Sequence, residues 1–360
     1  MLTNMFKPQF SISPAMTRAL MQIEAARQAV SDAPIRVEIL HHLRETARLH
    51  SAHYSTQIEG NRLTLPEVAA AQRGEKLPGR ERDEIEVRNH FRAFAYMEKI
   101  SEAAAPLQEA EIQTLHGLVL FGKQRASAYR DVQNVIRESG SGRIVYLPPE
   151  APDVPVLMRE LVEWVNAELL SGELPVPIIA GLAHYQFATI HPYLDGNGRT
   201  ARLLTTLILR RAGYGLKGIY SLDEQYAKDL AAYYSALTIG HHNYYEGRAE
   251  ADLTGFVGYF LVGMAAAFQA IKLAATRDSA ALPDESDYLR DLDPRQRNLI
   301  PLFRKQGSAT AIEMASTLKL SPRTVVALCR QWIASGFLEY ADPSRKARAY
   351  RLRARKNPPA

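Results

Sequence analysis

The chain has 360 residues, 46% of them hydrophobic and 23% charged, with a formal net charge of +5. That length holds two or three domains, and the composition is ordinary for a globular protein. One cysteine, Cys329, excludes an internal disulfide and fits a reducing compartment. No apolar leader follows Met1, and the stretch Phe256 to Ile271 is too short and too Gly-broken to cross a bilayer. A cytoplasmic protein with no membrane partner is therefore expected. The charge is uneven: from Arg295 to Ala360 there are 14 Lys/Arg against 3 Asp/Glu, so a basic tail follows an acidic body.

In chain order, residues 1–30 read as irregular and then helical, and helical periodicity dominates from Ala33 to Arg73. Within it, Ser55 and Glu59 are four apart and share a helical face. Gly60-Asn61 can end that helix, and Thr64-Leu65-Pro66-Glu67 looks like a capping box opening the next. Helices continue through Asp83–Ile100 and Glu109–Leu120. Asn134-Val135-Ile136-Arg137 and Arg143-Ile144-Val145-Tyr146 flank a Gly/Ser loop and read as a hairpin, ended by Pro148-Pro149. Val154–Leu170 and Ile178–Thr189 are predicted helices, the second leading to His191. Leu203, Leu204, Leu207 and Ile208 recur at helical spacing in the next helix, with Gly213 as its stop. Asp223–Leu237 and Leu253–Ala275 complete a helical body.

The chemistry concentrates in His191-Pro192-Tyr193-Leu194-Asp195-Gly196-Asn197-Gly198-Arg199. The helix starting near Gly198 puts Gly196-Asn197-Gly198 at its N-terminus, where free N–H groups and the helix dipole favour an anion. Arg199 and Arg202, three apart, can grip successive phosphates. Asp195 beside a phosphate site implies a bridging Mg²⁺. His191 can accept a proton near neutral pH. Each fragment alone is a common turn or ion pair; together they point to transfer of part of a nucleotide. Gly213-Tyr214-Gly215-Leu216-Lys217-Gly218 matches GxGxxG but follows a helix, so it is not a dinucleotide fingerprint. His241-His242 lacks a third ligand and reads as a polar loop, and His184 reads as a core residue.

This stretch resembles the signature of the Fic family, His-x-Phe-x-Asp/Glu-Gly-Asn-Gly/Lys-Arg, with Tyr193 where Phe is usual and Arg202 where the family's second arginine falls. The resemblance implies a protein adenylyltransferase that moves AMP from ATP to a Ser, Thr or Tyr hydroxyl of a target, and to itself. His191 would be the base and Asp195 the Mg²⁺ ligand. Gly196, Asn197, Gly198, Arg199 and Arg202 would hold the phosphates. Tyr234 resembles one of the family's aromatic pair near the base. The hairpin would be the flap, docking a target strand through Val135, Ile136, Ile144 and Val145. Ser55-Thr56-Gln57-Ile58-Glu59-Gly60 is similar to the family's inhibitory pattern, in which Glu59 would pair with Arg202.

The implied fold is mainly α: an N-terminal helical region (1–105) carrying the inhibitory helix (about 45–61), a Fic core with its flap (106–275), a linker (276–293) and a winged-helix-like domain (294–356). The last is suggested by helical runs at Pro294–Lys305, Ala309–Leu318 and Pro322–Gly336 before a basic hairpin. Arg323, Arg330, Arg345, Lys346 and Arg348 are its candidate DNA contacts. Two alternatives stay open: a DNA-binding regulator with a Fic-fold sensor body, and a Fic enzyme acting mainly in removal of AMP. The transferred group, the target and the oligomeric state are not legible in the residues.

Overall fold

The computed structural model describes residues 6–103, 105–137, 142–280, 292–342 and 349–353. Its contacts divide into two compact units, Met1–Ala281 and Leu282–Ala360. The linker expected at 276–293 lies mostly outside the described residues, as do Arg345, Lys346 and Arg348.

The first unit is built of α1 (Pro14–Asp32), α2 (Val37–Ile58), α3 (Leu65–Gln72), α4 (Glu81–Ser101) and α5 (Glu109–Phe121), then strands β1 (Ile136–Arg137) and β2 (Ile144–Tyr146). Next come α6 (Val154–Ser171), α7 (Val176–Ile190), α8 (Asn197–Leu209), α9 (Asp223–Lys228), α10 (Leu230–Leu237) and α11 (Thr254–Ala280). Local chemistry sets several boundaries. Thr64 caps α3 as expected, with its N–H donating to Glu67 over 2.7 Å. Gly60, at φ +93°, turns the chain after α2. A π turn over Arg210–Tyr214 unwinds the end of α8, and Gly213 takes φ +84°.

α7 is the buried axis of this unit. Ile178, Ile179, Leu182, Phe187 and Ile190 are fully buried on it, and it packs against α6, α8 and α11. Burying each such side chain contributes about 1.5–3 kcal/mol. α8 adds Leu204, Leu207 and Leu209 to the same core, facing α4, α5 and α7. α2 packs on α4 and α9, with Ala52, Leu63, Val68, Ala71 and Val87 forming a smaller cluster at its base. α11 outruns the apolar stretch read from sequence: Thr254–Ala275 meets the length and hydropathy of a membrane span. Here it packs along α1, where a Cβ on Gly258 would come 3.3 Å from Met16 Cε.

The hairpin forms as expected, antiparallel with Ile136 opposite Tyr146 and Arg137 opposite Ile144. Its strands are shorter than the sequence suggests, and the loop residues 138–141 are outside the described set. The Tyr146 hydroxyl donates to Thr189 O over 2.9 Å, tying β2 to the last turn of α7.

The second unit has α12 (Pro294–Gln306), β3 (Ala309–Thr310), α13 (Ala311–Leu318), α14 (Pro322–Ala334), β4 (Leu338–Asp342) and β5 (Ala349–Leu352). The strands form an antiparallel sheet in the order β3-β5-β4. Leu299, Phe303, Met314, Val325, Cys329, Trp332 and Tyr350 make its core. Cys329 is a core residue, and burial pushes its thiol up to about 12.

Two core histidines make the first unit acid-sensitive. His184 bridges Thr205 Oγ1 (3.0 Å) and the Tyr233 hydroxyl (2.9 Å), and His90 faces Ser51 Oγ at 3.3 Å. Burial lowers His184 to about 3 and His90 to about 4. Both rings are neutral when folded, whereas an unfolded chain takes up their protons below about pH 6.5, so stability falls with pH. The wild-type advantage over His184→Gln is expected to shrink by up to about 2 kcal/mol between pH 7.5 and pH 5, measured by urea unfolding. An advantage independent of pH would show that the ring is not held neutral.

Candidate active site

The α7–α8 junction carries the site. α7 ends at His191, which takes a left-handed conformation (φ 50°, ψ 60°) and donates its backbone N–H to Phe187 O. A β-carbon in that region costs roughly 1–2 kcal/mol. The ring stays against the last turn of the helix. His191 Nδ1 lies 3.3 Å from Ala188 O. A carbonyl only accepts, so Nδ1 carries the proton and Nε2 keeps its lone pair. Burial is the main cause lowering His191 to about 4, opposed by that carbonyl and by Glu59. The ring is a neutral base at physiological pH.

The loop is closed by Asn197. Its amide Oδ1 accepts from Tyr193 N at 3.0 Å and its Nδ2 donates to Tyr193 O at 2.8 Å. The side chain expected on phosphate is therefore occupied in shaping the turn, which leaves anion contact to the backbone. Gly196, at φ +77°, caps α8, one residue earlier than the sequence suggests. The Asp195 carboxylate is 65% exposed and accepts from Gly196 N at 2.6 Å. Arg199 Nη2 lies 3.4 Å from it, and Arg199 Nε is buried with no hydrogen-bond partner.

Arg202 is the most encumbered cation of the site. Its side chain is 2% exposed. Nε donates to Ser55 Oγ (2.9 Å), and Nη2 donates to Ser55 O (2.7 Å) and Glu59 Oε1 (2.9 Å). Asp223 Oδ1 is a second anion, 3.3 Å from Nε. Nη1 is buried with no hydrogen-bond partner. Desolvation works to lower the guanidinium pKa, but Glu59 above all, with Asp223 also contributing, raises it beyond its ordinary value. Glu59 sits over the first turn of α8: a Cβ on Gly198 would come 2.2 Å from Glu59 Oε1. A carboxylate thus already lies at the anion-binding end of the helix.

Residues far away in sequence brace this loop. Arg130, buried, donates from Nε to His191 O (3.0 Å), from Nη1 to Val132 O and Gln133 Oε1 (3.3 Å each) and from Nη2 to Pro149 O. Its backbone N–H reaches Pro192 O at 3.0 Å. Asn134 Nδ2 donates to Tyr193 O at 3.0 Å, linking the loop to the hairpin. Asp223 is carried by α9 and accepts from Ser51 Oγ at 2.8 Å, so it had no local signature. Of the hairpin residues, Ile144 is half exposed, while Val135, Ile136 and Val145 are partly buried. Tyr234 donates from its hydroxyl to Ile58 O at 3.3 Å, beside the end of α2. Arg323 and Arg330 are exposed on α14, in the other unit.

Residues 106–209 match the Fic/DOC family. They form a Fic domain. Among curated relatives, the protein adenylyltransferase Fic of Drosophila willistoni is 31% identical over 199 residues, 55% of this chain and 39% of that protein. The Drosophila virilis protein of the same name is 30% identical over 199 residues, 55% of this chain and 40% of that one. The matched part therefore spans about two-fifths of the length of these relatives. A crystal structure of a Fic family protein from Desulfovibrio desulfuricans is similar in fold over 98% of this chain and 100% of that one, with a TM-score of 0.65 and 24% identity. Fic-1 from C. elegans has a TM-score of 0.58 at 25% identity, covering 74% of each chain.

The bracing by Arg130 is testable without nucleotide. Arg130→Met leaves the carbonyls of His191, Val132 and Pro149 without their partner, and each buried unsatisfied group costs about 1–3 kcal/mol. A loss of about 2–4 kcal/mol is expected in urea unfolding, with partial recovery in Arg130→Lys. A loss under 1 kcal/mol would show that the loop holds itself.

Proposed function

We propose that the chain transfers AMP from ATP to a hydroxyl of a protein target, and to itself, and that Glu59 restrains the reaction. The observation that carries this reading is the Glu59 carboxylate lying over Gly198 and bonded to Arg202, an anion at an anion site. The residues fit a magnesium triphosphate. Two buried guanidinium nitrogens, Arg199 Nε and Arg202 Nη1, lack hydrogen-bond partners that phosphate oxygens would supply. Among the described residues no cluster of three or more His, Cys, Asp or Glu is arranged to hold a metal. In this reading Mg²⁺ would be held by one carboxylate, Asp195, and by the substrate's own phosphates. Mg²⁺ bound there would neutralise charge between the α- and β-phosphates.

In the proposed reaction His191 Nε2 takes the proton from the target hydroxyl. The oxygen attacks the α-phosphorus, a new P–O bond forms, the bond to the β-phosphate oxygen breaks and pyrophosphate leaves. The N–H groups at the start of α8 hold phosphate oxygens, Arg199 the β-phosphate and Arg202 the γ-phosphate. Orientation and fixed charge supply most of the acceleration, and the base about 10²–10⁴-fold. The hairpin is proposed to pair with an extended target segment, and Tyr234 to stack on the base.

With Glu59 on Arg202 the γ-phosphate loses its grip, and the triphosphate sits out of line. Breaking a buried pair by removing one partner costs about 3–5 kcal/mol. Glu59 is 29% exposed, so the lower end applies. Glu59→Gly is expected to raise self-modification with ATP and Mg²⁺ at least tenfold, read by mass spectrometry of the intact protein. Glu59→Gly combined with His191→Ala should bind ATP and carry no added AMP. No adduct on a folded Glu59→Gly protein that binds ATP would overturn the transfer reading. Release of AMP from a modified protein by the wild type alone would favour the reverse reaction.

For the second unit, we infer a winged helix that contacts DNA. Arg323 and Arg330, seven residues apart and exposed on α14, support this, as does the basic tail. Duplex binding should weaken steeply with salt, and Arg323→Glu with Arg330→Glu should flatten the log–log slope by about 2. Binding that is absent at low salt would leave the unit as a protein-docking module.

A further inference from the structure

The turn that presents Asp195 rests on a histidine 79 residues away in sequence. His116, on α5, is buried and lies face to face with Tyr193, with ring centroids 3.5 Å apart and planes 4° from parallel. Its Nε2 is 2.8 Å from Asp195 O. A carbonyl cannot donate, so Nε2 carries the proton and gives it to that bond. On the other side of the ring, Nδ1 lies 2.5 Å from Ser127 Oγ, which fixes the ring about its long axis. The ring also forms the floor under the left-handed residue: a Cβ on Gly196 would come 3.3 Å from both His116 Cδ2 and Nε2. One side chain thus meets the turn at three places: the Tyr193 ring, the Asp195 carbonyl and the side of Gly196 where a Cβ would stand.

We propose that His116 is a positioning residue, which holds the Tyr193–Gly196 turn so that the Asp195 carboxylate faces the cation and the α8 N–H groups face the phosphates. The proposal deepens the transfer reading above and rests on it. The peptide joining Asp195 to Gly196 has its carbonyl pinned by Nε2–H. Its N–H is pinned by the Asp195 carboxylate itself, through the 2.6 Å bond from Gly196 N to Asp195 Oδ1. Loss of the Nε2 donor frees this peptide to rotate. Rotation misdirects the carboxylate first and the helix N-terminus less, because the Asn197 amide independently holds the start of α8 through Tyr193. The expected defect is therefore in the magnesium-dependent part of nucleotide binding and in turnover, not in nucleotide binding as a whole. Ser127 acts one step further out, by orienting the ring.

The test uses the full chain with Glu59→Gly as background and calorimetric binding of ATP, once with Mg²⁺ and once with chelator. The readout is the ratio of the two dissociation constants. His116→Phe keeps the stacked ring and removes the donor. It should shrink that ratio at least fivefold while the chelated value stays within twofold of its parent. His116→Gln, whose amide N–H can reach the Asp195 carbonyl, should restore most of the ratio. A ratio unchanged in His116→Phe overturns the proposal. So does an equal loss with and without Mg²⁺, which is what a merely structural residue would give. If His116→Phe shows no cooperative unfolding, Ser127→Ala is judged by the same two criteria. Adduct formation is scored separately. A Glu59→Gly protein that binds magnesium ATP but never modifies itself sinks the transfer reading and leaves the binding ratio to decide on His116.

Discussion

A guanidinium with almost no access to water governs this structure. Arg202 cannot stand in the interior without anionic company, because an unpaired buried charge costs several kcal/mol. The fold supplies that company from two directions: Glu59 and Ser55 from the end of α2, and Asp223 from α9. α2 thus meets α8 and α9 through polar contacts as well as burying Ala52 and Ile58.

The second constraint is stiffness. A base and a phosphate cradle must keep their separation to within fractions of an ångström to be useful. Here His191 and the start of α8, the proposed base and cradle, are joined by a loop of a few residues between two buried helices. α7 delivers His191 in a left-handed conformation, and α8 begins at Asn197. The loop between them is short enough to be over-determined by side chains from outside it. Arg130 holds the carbonyl of His191 and the main chain at Pro192. Asn134 and Asn197 share the carbonyl of Tyr193. His116 holds the carbonyl of Asp195. Nearly every peptide of the turn therefore has a fixed orientation.

What the sequence made legible follows from what is local in the chain. The helix periods, the cap at Thr64 and the hairpin around its Gly/Ser loop are short-range patterns, and the structure contains them. The His191–Arg202 stretch was legible because its functional groups are contiguous. Glu59 was legible only through a family pattern, since nothing in its own neighbourhood distinguishes it from a solvent-facing glutamate. Asn197 shows the limit of local reading: its position suggests phosphate, but its amide matches the geometry of the turn behind it. Arg130, His116 and Asp223 were not read as supports. Each is one polar residue in an unremarkable stretch, and the partner that ties it to the site (His191, Asp195 and Ser51 in turn) lies 61, 79 and 172 positions away. Only a three-dimensional arrangement brings such partners together.

The division of labour around Arg202 also sets how far the protein must move to change state. Ser51 bonds to Asp223, Ser55 bonds to Arg202, and the Ile58 carbonyl accepts from Tyr234. None of these three fastenings involves the Glu59 side chain. Swinging that carboxylate aside therefore leaves the helix riveted where it is and the cation still half neutralised. In the proposed restraint the moving part is therefore a single side chain rather than a domain. A restraint of the proposed kind would yield to a ligand competing for the Glu59 seat without parting α2 from α8.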